Sequence, residues 1–300
     1  MLARIKELLV SSCFEKLRAE ALRVNEFFSE YFIDRAIQAI VAEFLDDEKY
    51  KKFCQEYNIK KVGNRVGVLC AGNLPLVGFG DMFYALTMGC EVVLKCSRRD
   101  PLMRVFAALE QVTVVDSIDG LEGCDAILAM GSDATCEMLR ERFSDTELLL
   151  RGTMHSVGVL TGGESDAELL GLLDDMLLYC GMGCRSVSRL YVPQGYDFSA
   201  MVQLYKDNRP LMPRVWWDKY RYERAMCVMR GEEFVDCGSF ILKSGEVHSV
   251  CTIEYFKGEG VALDRVQFVS QGGSFGRAQQ PRLEDFSSGV SVIDFLRFSL

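Results

Sequence analysis

Apolar residues recur at helical spacing through the first 62 residues, a stretch that contains neither Gly nor Pro. Leu8, Phe14, Leu22, Phe28 and Phe44 belong to this pattern. Spacings of three or four residues place such side chains on one face of a helix. The stretch therefore predicts a helical lead-in, with the aromatic side chains in its core and the charged ones in solvent.

From Gly63 onward, short β-rich runs alternate with helical segments. The predicted strands lie near 65–70, 91–96, 112–115, 125–130, 147–150 and 156–160, and the predicted helices near 79–88, 101–110 and 133–143. Strands that are apolar on both faces and alternate with helices predict a mostly parallel sheet with helices on both sides. Ligands of such α/β sheets bind at the carboxyl ends of the strands.

A Gly-Gly turn at 162–163 marks the predicted boundary to a second, smaller α/β unit. This unit has helices predicted at 166–179 and 216–229, and strands at 189–192, 239–243, 247–256 and 266–270. We predict a first domain over 1–163 that includes the lead-in, and a second over 164–272. We expect residues 273–300 to pack back on the first domain.

The composition argues against nucleic acid and membranes as binding partners. The chain of 300 residues is 49% hydrophobic and carries a net charge of −9, which suits a globular protein and argues against nucleic acid or an anionic membrane as partner. No stretch approaches the roughly 20 apolar residues of a membrane span, and the start becomes charged too early for a signal peptide, so we expect a cytoplasmic protein.

The cysteine and histidine residues limit which metal sites, disulfides and catalytic triads the chain can form. The 12 Cys include no C-x-x-C pair, which predicts reduced and mostly buried thiols rather than disulfides or a zinc ribbon. Only His155 and His248 are present, so we expect no metal site and no Ser-His-Asp hydrolase.

Three predicted strand ends carry candidate binding residues, although the dinucleotide fingerprint and the Walker motif are both absent. Asn73 follows the first strand, where its amide is either an oxyanion donor or an ordinary turn residue. Lys95 and Arg98 follow the second strand and either bind a nucleotide ribose or phosphate or simply meet water. Gly131 and Ser132 open a helix whose N–H groups suit a phosphate, unless the acid that follows caps that helix.

The fourth candidate is the segment Gly181-Met182-Gly183-Cys184-Arg185. Two glycines give Cys184 an open backbone approach, and a nearby Arg would lower a thiol pKa that starts at about 8.5. In isolation the same segment also fits an inert buried thiol. Cys180 ends an apolar helical stretch and is interpreted as core.

In this order, the four segments resemble the aldehyde dehydrogenase superfamily, specifically its acyl-CoA reductase (LuxC-type) branch, over roughly residues 60–300. The resemblance implies an aldehyde-dehydrogenase-like fold, with a Rossmann-type nucleotide-binding domain and a smaller catalytic domain. The matching segments are Asn73-Leu74-Pro75 for Asn-Phe-Pro, Lys95-Cys96-Ser97-Arg98 for Lys-Pro-Ser-Glu, Gly131-Ser132 for the Gly-Ser of the pyrophosphate helix, Gly181-Met182-Gly183-Cys184 for Gly-Gln-x-Cys, and the tail Phe275-Gly276-Arg277-Ala278-Gln279-Gln280-Pro281.

By this resemblance Cys184 is the nucleophile, and Asn73 helps the Cys184 backbone N–H to form the oxyanion hole. Lys95 and Arg98 bind the adenosine ribose, while Gly131 and Ser132 face the pyrophosphate. The implied reaction is the NAD(P)H-dependent reduction of an acyl-CoA thioester to an aldehyde through an acyl-cysteine.

Three departures from the family pattern add information. Where hydrolytic relatives carry a Glu base, this chain reads Arg151-Gly152-Thr153-Met154, and exchange of the thioester with CoA needs no such base. Arg98 replaces an acid that would face the ribose hydroxyls, which favours NADPH, with NADH as the alternative. The chain is also short for the family. Its predicted strand 247–256 is either a dimer edge or an ordinary internal strand.

Two alternative functions stay open at this point: an acyl-phosphate reductase of the same superfamily, and a non-catalytic nucleotide-binding or scaffold protein. The resemblance also suggests an acyl-transferase partner and a homodimer. His155 either orients a polar group near the thiol or is a satisfied structural residue.

Overall fold

Four helices precede the first strand, as the lead-in pattern predicts. They are α1 (Leu2–Leu9), α2 (Ser12–Val24), α3 (Glu30–Glu43) and α4 (Asp47–Glu56). Ser11, Ser29 and Asp46 start the last three of these helices by accepting a hydrogen bond from a backbone N–H of the first turn. The structure is a computed structural model that describes residues 1–245 and 250–298.

A five-stranded parallel sheet follows the lead-in, with strand order β3-β2-β1-β4-β5. Its strands are β1 (Arg65–Leu69), β2 (Glu91–Lys95), β3 (Val112–Val115), β4 (Ala126–Met130) and β5 (Glu147–Arg151). Helices α5 (Phe79–Thr87) and α6 (Asp133–Arg142) and the 3-10 helices Pro101–Ala108 and Ile118–Leu121 connect them. The strand order reverses between β1 and β4, which is where sheets of this kind bind ligands.

Both faces of this sheet are covered, which is why the inner positions of its central strands are apolar. Val66, Val68 and Val92 point into a large core that also holds the lead-in helices. Val93 and Ile127 point into a smaller core on the opposite face. Because successive side chains of a strand alternate between faces, burial on both sides calls for apolar residues at consecutive inner positions.

A six-stranded sheet follows, with strand order β11-β6-β7-β10-β9-β8. Its strands are β6 (His155–Val159), β7 (Val187–Val192), β8 (Val235–Asp236), β9 (Ile241–Lys243), β10 (Thr252–Lys257) and β11 (Val266–Gln271). Its helices are α7 (Asp166–Leu177), α8 (Ser199–Asp207) and α9 (Arg214–Arg230). Only the β8–β9 pairing is antiparallel among the pairings of the described strands. The α/β fold class with two sheets and a helical lead-in is confirmed.

The C-terminal segment contributes to the core of the first sheet. Its helix α10 (Val292–Phe298) and the preceding loop bury Leu283, Ile293 and Leu296 in the same core as the lead-in helices. The Tyr84 hydroxyl on α5 donates a hydrogen bond to the Leu283 carbonyl at 2.8 Å.

The chain forms two compact units, one of residues 1–153 with 281–300 and one of residues 154–280. β6 pairs with β7 and β11, so residues 155–159 belong to the second sheet rather than the first. Throughout residues 1–245 and 250–298, no helix combines the length and the apolar character that crossing a membrane requires.

The predicted strand 247–256 lies inside the second sheet where the structure describes it. β10 pairs with β9 over Thr252–Glu254 and with β7 over Glu254–Lys257, so it has a neighbouring strand on each side. These pairings favour an ordinary internal strand over a dimer edge, and residues 247–249 lie outside the described residues. The internal-strand alternative accounts for this segment.

Candidate functional site

Five of the six predicted site residues lie at one edge of the first sheet. Asn73 follows β1, Lys95 and Arg98 lie at the end of β2, and Gly131 and Ser132 follow β4. Because β2, β1 and β4 are parallel neighbours, their carboxyl ends meet side by side. The structure therefore gathers these five residues at the point where the strand order reverses.

The segments after β1 and β2 are packed tightly together. A Cβ atom placed on Gly72 would lie 2.1 Å from the Ser97 Oγ and 3.0 Å from the Arg99 Cβ. Only a residue without a side chain fits this approach, since real Cβ contacts are never that short. The glycine before Asn73 is thus required by the neighbouring segment.

Asn25, at the end of α2, holds the same two segments. Its Nδ2 donates to the Gly72 carbonyl at 3.0 Å and to the Arg99 carbonyl at 3.2 Å, and its side chain is almost fully buried. Its Oδ1 accepts from the Phe27 N–H at 3.2 Å. Sequence reasoning gave the lead-in no functional role, yet this residue connects it directly to the candidate binding edge.

Asp100 fixes the far end of the Asn73 segment. Its carboxylate is fully buried and accepts from the Leu76 N–H at 2.8 Å and from the Leu102 N–H at 3.2 Å. Leu76 has a left-handed backbone, with φ of 58°, which the Asp100 contact stabilises. Burial raises the pKa of Asp100 to about 7, because a charged carboxylate is poorly solvated there.

The three cations after β2 have different surroundings. The Arg99 guanidinium lies 3.4 Å from the Asn25 Oδ1, so it belongs to the structural contact described above. Arg98 is exposed and Lys95 is partly buried. The pKa of Asp116, at the end of β3, is lowered by a hydrogen bond from Arg104 and further by the charges of Arg98 and Lys95. Arg98 and Lys95 therefore lie close enough to Asp116 for their charges to favour its ionised form.

Ser132 opens α6 by accepting a hydrogen bond from the Thr135 N–H at 3.2 Å. The acid that follows does not take this capping role, since the Asp133 Oδ1 accepts from the Thr153 N–H at 2.9 Å instead. A Cβ atom on Gly131 would lie 3.1 Å from the Thr135 side chain, so a larger residue would crowd the first turn of this helix.

Arg151, at the end of β5, forms a buried ion pair with Asp81 in the first turn of α5. Both side chains are less than 5% exposed. The charge of Asp81 thus offsets that of Arg151, and the pair links β5 to the helix that follows the Asn73 segment.

Cys184 lies in the second unit, in the loop between α7 and β7, and is partly exposed. The Ser156 Oγ donates to the Cys184 carbonyl at 2.9 Å. The Ser186 N–H donates to the Gly183 carbonyl at 2.9 Å, and the Gly183 N–H donates to the Ser186 Oγ at 3.2 Å. The backbone on either side of the thiol is therefore held by buried serine hydroxyls.

Three successive left-handed residues precede this loop: Tyr179, Cys180 and Gly181, with φ of 58°, 57° and 60°. They end the predicted helix at Leu177 rather than at Tyr179. A Cβ atom on Gly181 would lie 2.9 Å from the Met176 carbonyl, so glycine is needed here.

The cysteines differ in accessibility. Nine of the twelve are buried, and burial raises the pKa of Cys180 to about 12. Cys13 is exposed, while Cys54 and Cys184 are partly exposed. Burial also raises the pKa of Cys54, which disfavours its thiolate.

Sequence reasoning assigned no role to two residues that hold the backbone near Cys184. The Gln279 Nε2 donates to the Ser186 Oγ at 2.9 Å, and both side chains are buried. Asp175 on α7 is buried and accepts from the Ser270 Oγ, the Gly276 N–H and the Ala278 N–H at 2.6, 2.8 and 2.9 Å. An acid on the apolar face of a predicted helix was the available signal for Asp175.

His155 has a structural partner. Its Nε2 lies 3.0 Å from the Arg189 Nη1, and Arg189 also pairs with Glu254 at 3.1 Å. Burial lowers the pKa of His155, and the charge of Arg189 lowers it further. These contacts favour the interpretation of a satisfied structural histidine. Among the residues that the structure describes, no cluster of three or more His, Cys, Asp or Glu side chains is placed to hold a metal ion.

Similarity to solved structures identifies the fold. An NAD+ complex of an aldehyde dehydrogenase from Bacillus cereus matches 86% of this chain and 67% of its own, with a TM-score of 0.58 and 16% identity. A mutant aldehyde dehydrogenase from the same organism matches 82% and 64%, with a TM-score of 0.57 and 15% identity. An aldehyde dehydrogenase of Mycobacterium tuberculosis complexed with NAD+ matches 64% and 52%, with a TM-score of 0.50 and 18% identity.

These likenesses show an aldehyde-dehydrogenase-like fold. This chain covers only 52% to 67% of the length of those proteins. No protein-family model and no curated protein matches the sequence.

Proposed function

We propose that this protein is an acyl-CoA reductase that uses NADPH, with Cys184 as its nucleophile. The observation that carries the proposal is a partly exposed thiol on a glycine loop whose backbone is held by Ser156 and Ser186. The aldehyde-dehydrogenase-like fold supports a nicotinamide-dependent reaction at an aldehyde or acyl carbon, since two of the similar structures are NAD+ complexes.

A nicotinamide dinucleotide would bind the first unit. The helix start at Gly131 and Ser132 would face the pyrophosphate, and Lys95 and Arg98 would hold the adenosine ribose. NADPH is favoured over NADH because the exposed Arg98 and its cationic neighbours would attract a 2′-phosphate. When bound, the reduced nicotinamide supplies a hydride.

The chain's own residues carry the acyl transfer. The Cys184 thiolate attacks the thioester carbonyl, the carbon–sulfur bond to CoA breaks, and CoA leaves as a thiolate, so one thioester replaces another. Asn73 and the Cys184 backbone N–H are the proposed donors to the oxyanion. This exchange needs no general base, which agrees with a buried, ion-paired Arg151 in the segment where hydrolytic relatives carry a glutamate.

The direct test measures NADPH consumption with a panel of acyl-CoAs, together with mass spectrometry of the intact protein. We expect the wild type to form an acyl adduct and to consume NADPH, and Cys184→Ser to do neither. Cys13→Ser is the matched control, because Cys13 is the exposed thiol most prone to adventitious acylation. Activity that persists in Cys184→Ser would rule out the covalent mechanism.

The same panel separates the alternatives. Consumption with acyl phosphates but not with acyl-CoAs would indicate an acyl-phosphate reductase, because only the leaving group differs. Absence of both adduct and NADPH consumption with every substrate would indicate a non-catalytic nucleotide-binding or scaffold protein. An acyl-transferase partner and a homodimer stay predictions.

Asn73 and Cys184 belong to different units, so kinetics must test whether they serve one carbonyl group. Asn73→Ala removes one proposed oxyanion donor and is expected to lower kcat by roughly 10²–10³-fold. An unchanged kcat in Asn73→Ala would contradict its role.

A further inference from the structure

The backbone of Gly183, Cys184 and Ser186 forms a closed hydrogen-bonded turn. The Ser186 N–H donates to the Gly183 carbonyl, and the Ser186 hydroxyl accepts from the Gly183 N–H. Because a trans peptide is planar, the Gly183 carbonyl and the Cys184 N–H point in opposite directions. Whatever fixes the Gly183 carbonyl therefore also fixes the direction of the Cys184 N–H.

Gln279 holds this turn from outside. Its Nε2 donates to the Ser186 Oγ at 2.9 Å, so this hydroxyl accepts two hydrogen bonds, one from Gln279 and one from the Gly183 N–H. Both side chains are at least nine-tenths buried, with exposures of 9% for Gln279 and 2% for Ser186. Water therefore has little access to replace the amide if it is removed.

Gln279 is itself placed by a second buried group. Asp175 accepts hydrogen bonds from the Gly276 and Ala278 N–H groups, which fixes the backbone just before Gln279. A Cβ atom on Gly171, one turn earlier on α7, would lie 2.9 Å from the Phe275 carbonyl. The tail segment thus packs directly on α7, and Gln279 cannot move independently of it.

We infer that Gln279 is a positioning residue for acyl transfer, which orients the Cys184 backbone N–H through Ser186. This inference rests on the proposed function and adds a specific role to a tail segment that the proposal leaves unused. Loss of Gln279 should therefore slow acylation of Cys184 but not its alkylation. Attack on a thioester develops an oxyanion and needs that N–H, whereas alkylation of the thiol by iodoacetamide is a displacement at carbon that forms none.

The test compares Gln279→Leu with Gln280→Leu in the intact protein. Gln280 is the adjacent glutamine and is exposed, so it is a matched control for the same substitution. We expect Gln279→Leu to acylate at least about tenfold more slowly than the wild type with an acyl-CoA, short of the roughly 10²–10³-fold loss that follows removal of an oxyanion donor. Its alkylation of Cys184 should stay within about twofold, since that rate follows thiolate content and access.

Two further measurements keep the inference falsifiable. Ser186→Ala removes the same contact from the other side and should reproduce the selective loss. Hydrogen exchange of the peptide spanning 181–187 should become faster in Gln279→Leu and stay unchanged in Gln280→Leu.

A parallel fall of acylation and alkylation would overturn the inference and leave Gln279 a purely structural role. Unchanged exchange in Gln279→Leu would overturn it as well. A wild type that forms no acyl adduct would instead overturn the proposed function, and the exchange measurement would then decide by itself whether Gln279 orders the turn.

Discussion

Replacing Asp81 by alanine leaves the Arg151 guanidinium buried without its counter-charge. In the wild type, this guanidinium donates to the Asp81 carboxylate, and the two side chains are 4% and 3% exposed. Removing one partner of a buried ion pair typically destabilises a protein by about 3–5 kcal/mol, because the remaining charge has lost both its partner and water. We therefore expect Asp81→Ala to lower the free energy of unfolding by an amount in that range.

Removing both charges should be much less harmful than removing one. A buried pair replaced by apolar residues of similar volume is often neutral or stabilising by about 1–4 kcal/mol. The double variant Asp81→Leu with Arg151→Met is thus expected to be more stable than Asp81→Ala. Glu137→Ala is the surface control, since its pair with Arg140 is more than half exposed and should contribute no more than about 1 kcal/mol.

Urea unfolding followed by far-UV circular dichroism measures these differences. Both tryptophans of the chain, Trp216 and Trp217, lie in the second unit, so their fluorescence follows that unit alone. The circular dichroism transition should shift in Asp81→Ala. A loss below about 1 kcal/mol in Asp81→Ala, or a double variant no more stable than Asp81→Ala, would refute the reasoning.

Three further predictions concern the segments around Asn73. Asn25→Ala removes four side-chain hydrogen bonds at about 1 kcal/mol each, so we expect a loss of about 4 kcal/mol in urea unfolding and weaker NADPH binding by titration calorimetry. Unchanged values of both would contradict the contact. Gly72→Ala should lower the free energy of unfolding by about 1–3 kcal/mol, because the added methyl group overpacks against Ser97. Ser97→Gly in the Gly72→Ala background should restore part of this loss. Absence of any rescue would show that the clash lies elsewhere. Burial raises the pKa of Asp100 to about 7, so the folded state holds the proton of Asp100 more tightly than the unfolded state does. The free energy of unfolding should therefore fall as pH rises from about 4 to about 7. Asp100→Asn should flatten this pH dependence, and equal slopes in the variant and the wild type would contradict the prediction.

The sequence predicted the sheets better than their connections. Strand positions near 65–70, 91–96 and 125–130 followed from runs whose inner positions are mostly apolar, because burial on both faces leaves a local signal. The predicted helix at 101–110 is a 3-10 helix over Pro101–Ala108, which follows directly on Asp100. Nothing in local periodicity distinguishes the two helix types over so short a segment.

The contacts that fix the candidate site could not be predicted from the sequence. Asn25 is 47 residues from Gly72, and Asp175 is 103 residues from Ala278. Such pairs depend on tertiary packing, and a single Asn or Asp in a helical stretch carries no sign of its distant partner. The motif segments themselves were visible because tight turns and close backbone approaches require glycine at Gly72 and Gly181.

Both candidate segments share one physical arrangement, in which buried polar side chains from elsewhere in the same unit hold a partly exposed loop. Asn25 and Asp100 hold the loop before and after Asn73, and Gln279 holds the turn at Cys184. Groups fixed in this way need little reorganisation when charge develops, which is how proteins make oxyanion and phosphate contacts effective. In the part of the chain that the structure describes, the hydrogen bonds of Asn25 and those of Gln279 go to different residues. The two substitutions should therefore act independently, and the double variant should bind NADPH as weakly as Asn25→Ala and acylate as slowly as Gln279→Leu. A double variant in which either value deviates strongly from that of the single variant would mean that the two loops are coupled, and each substitution would then act on both steps.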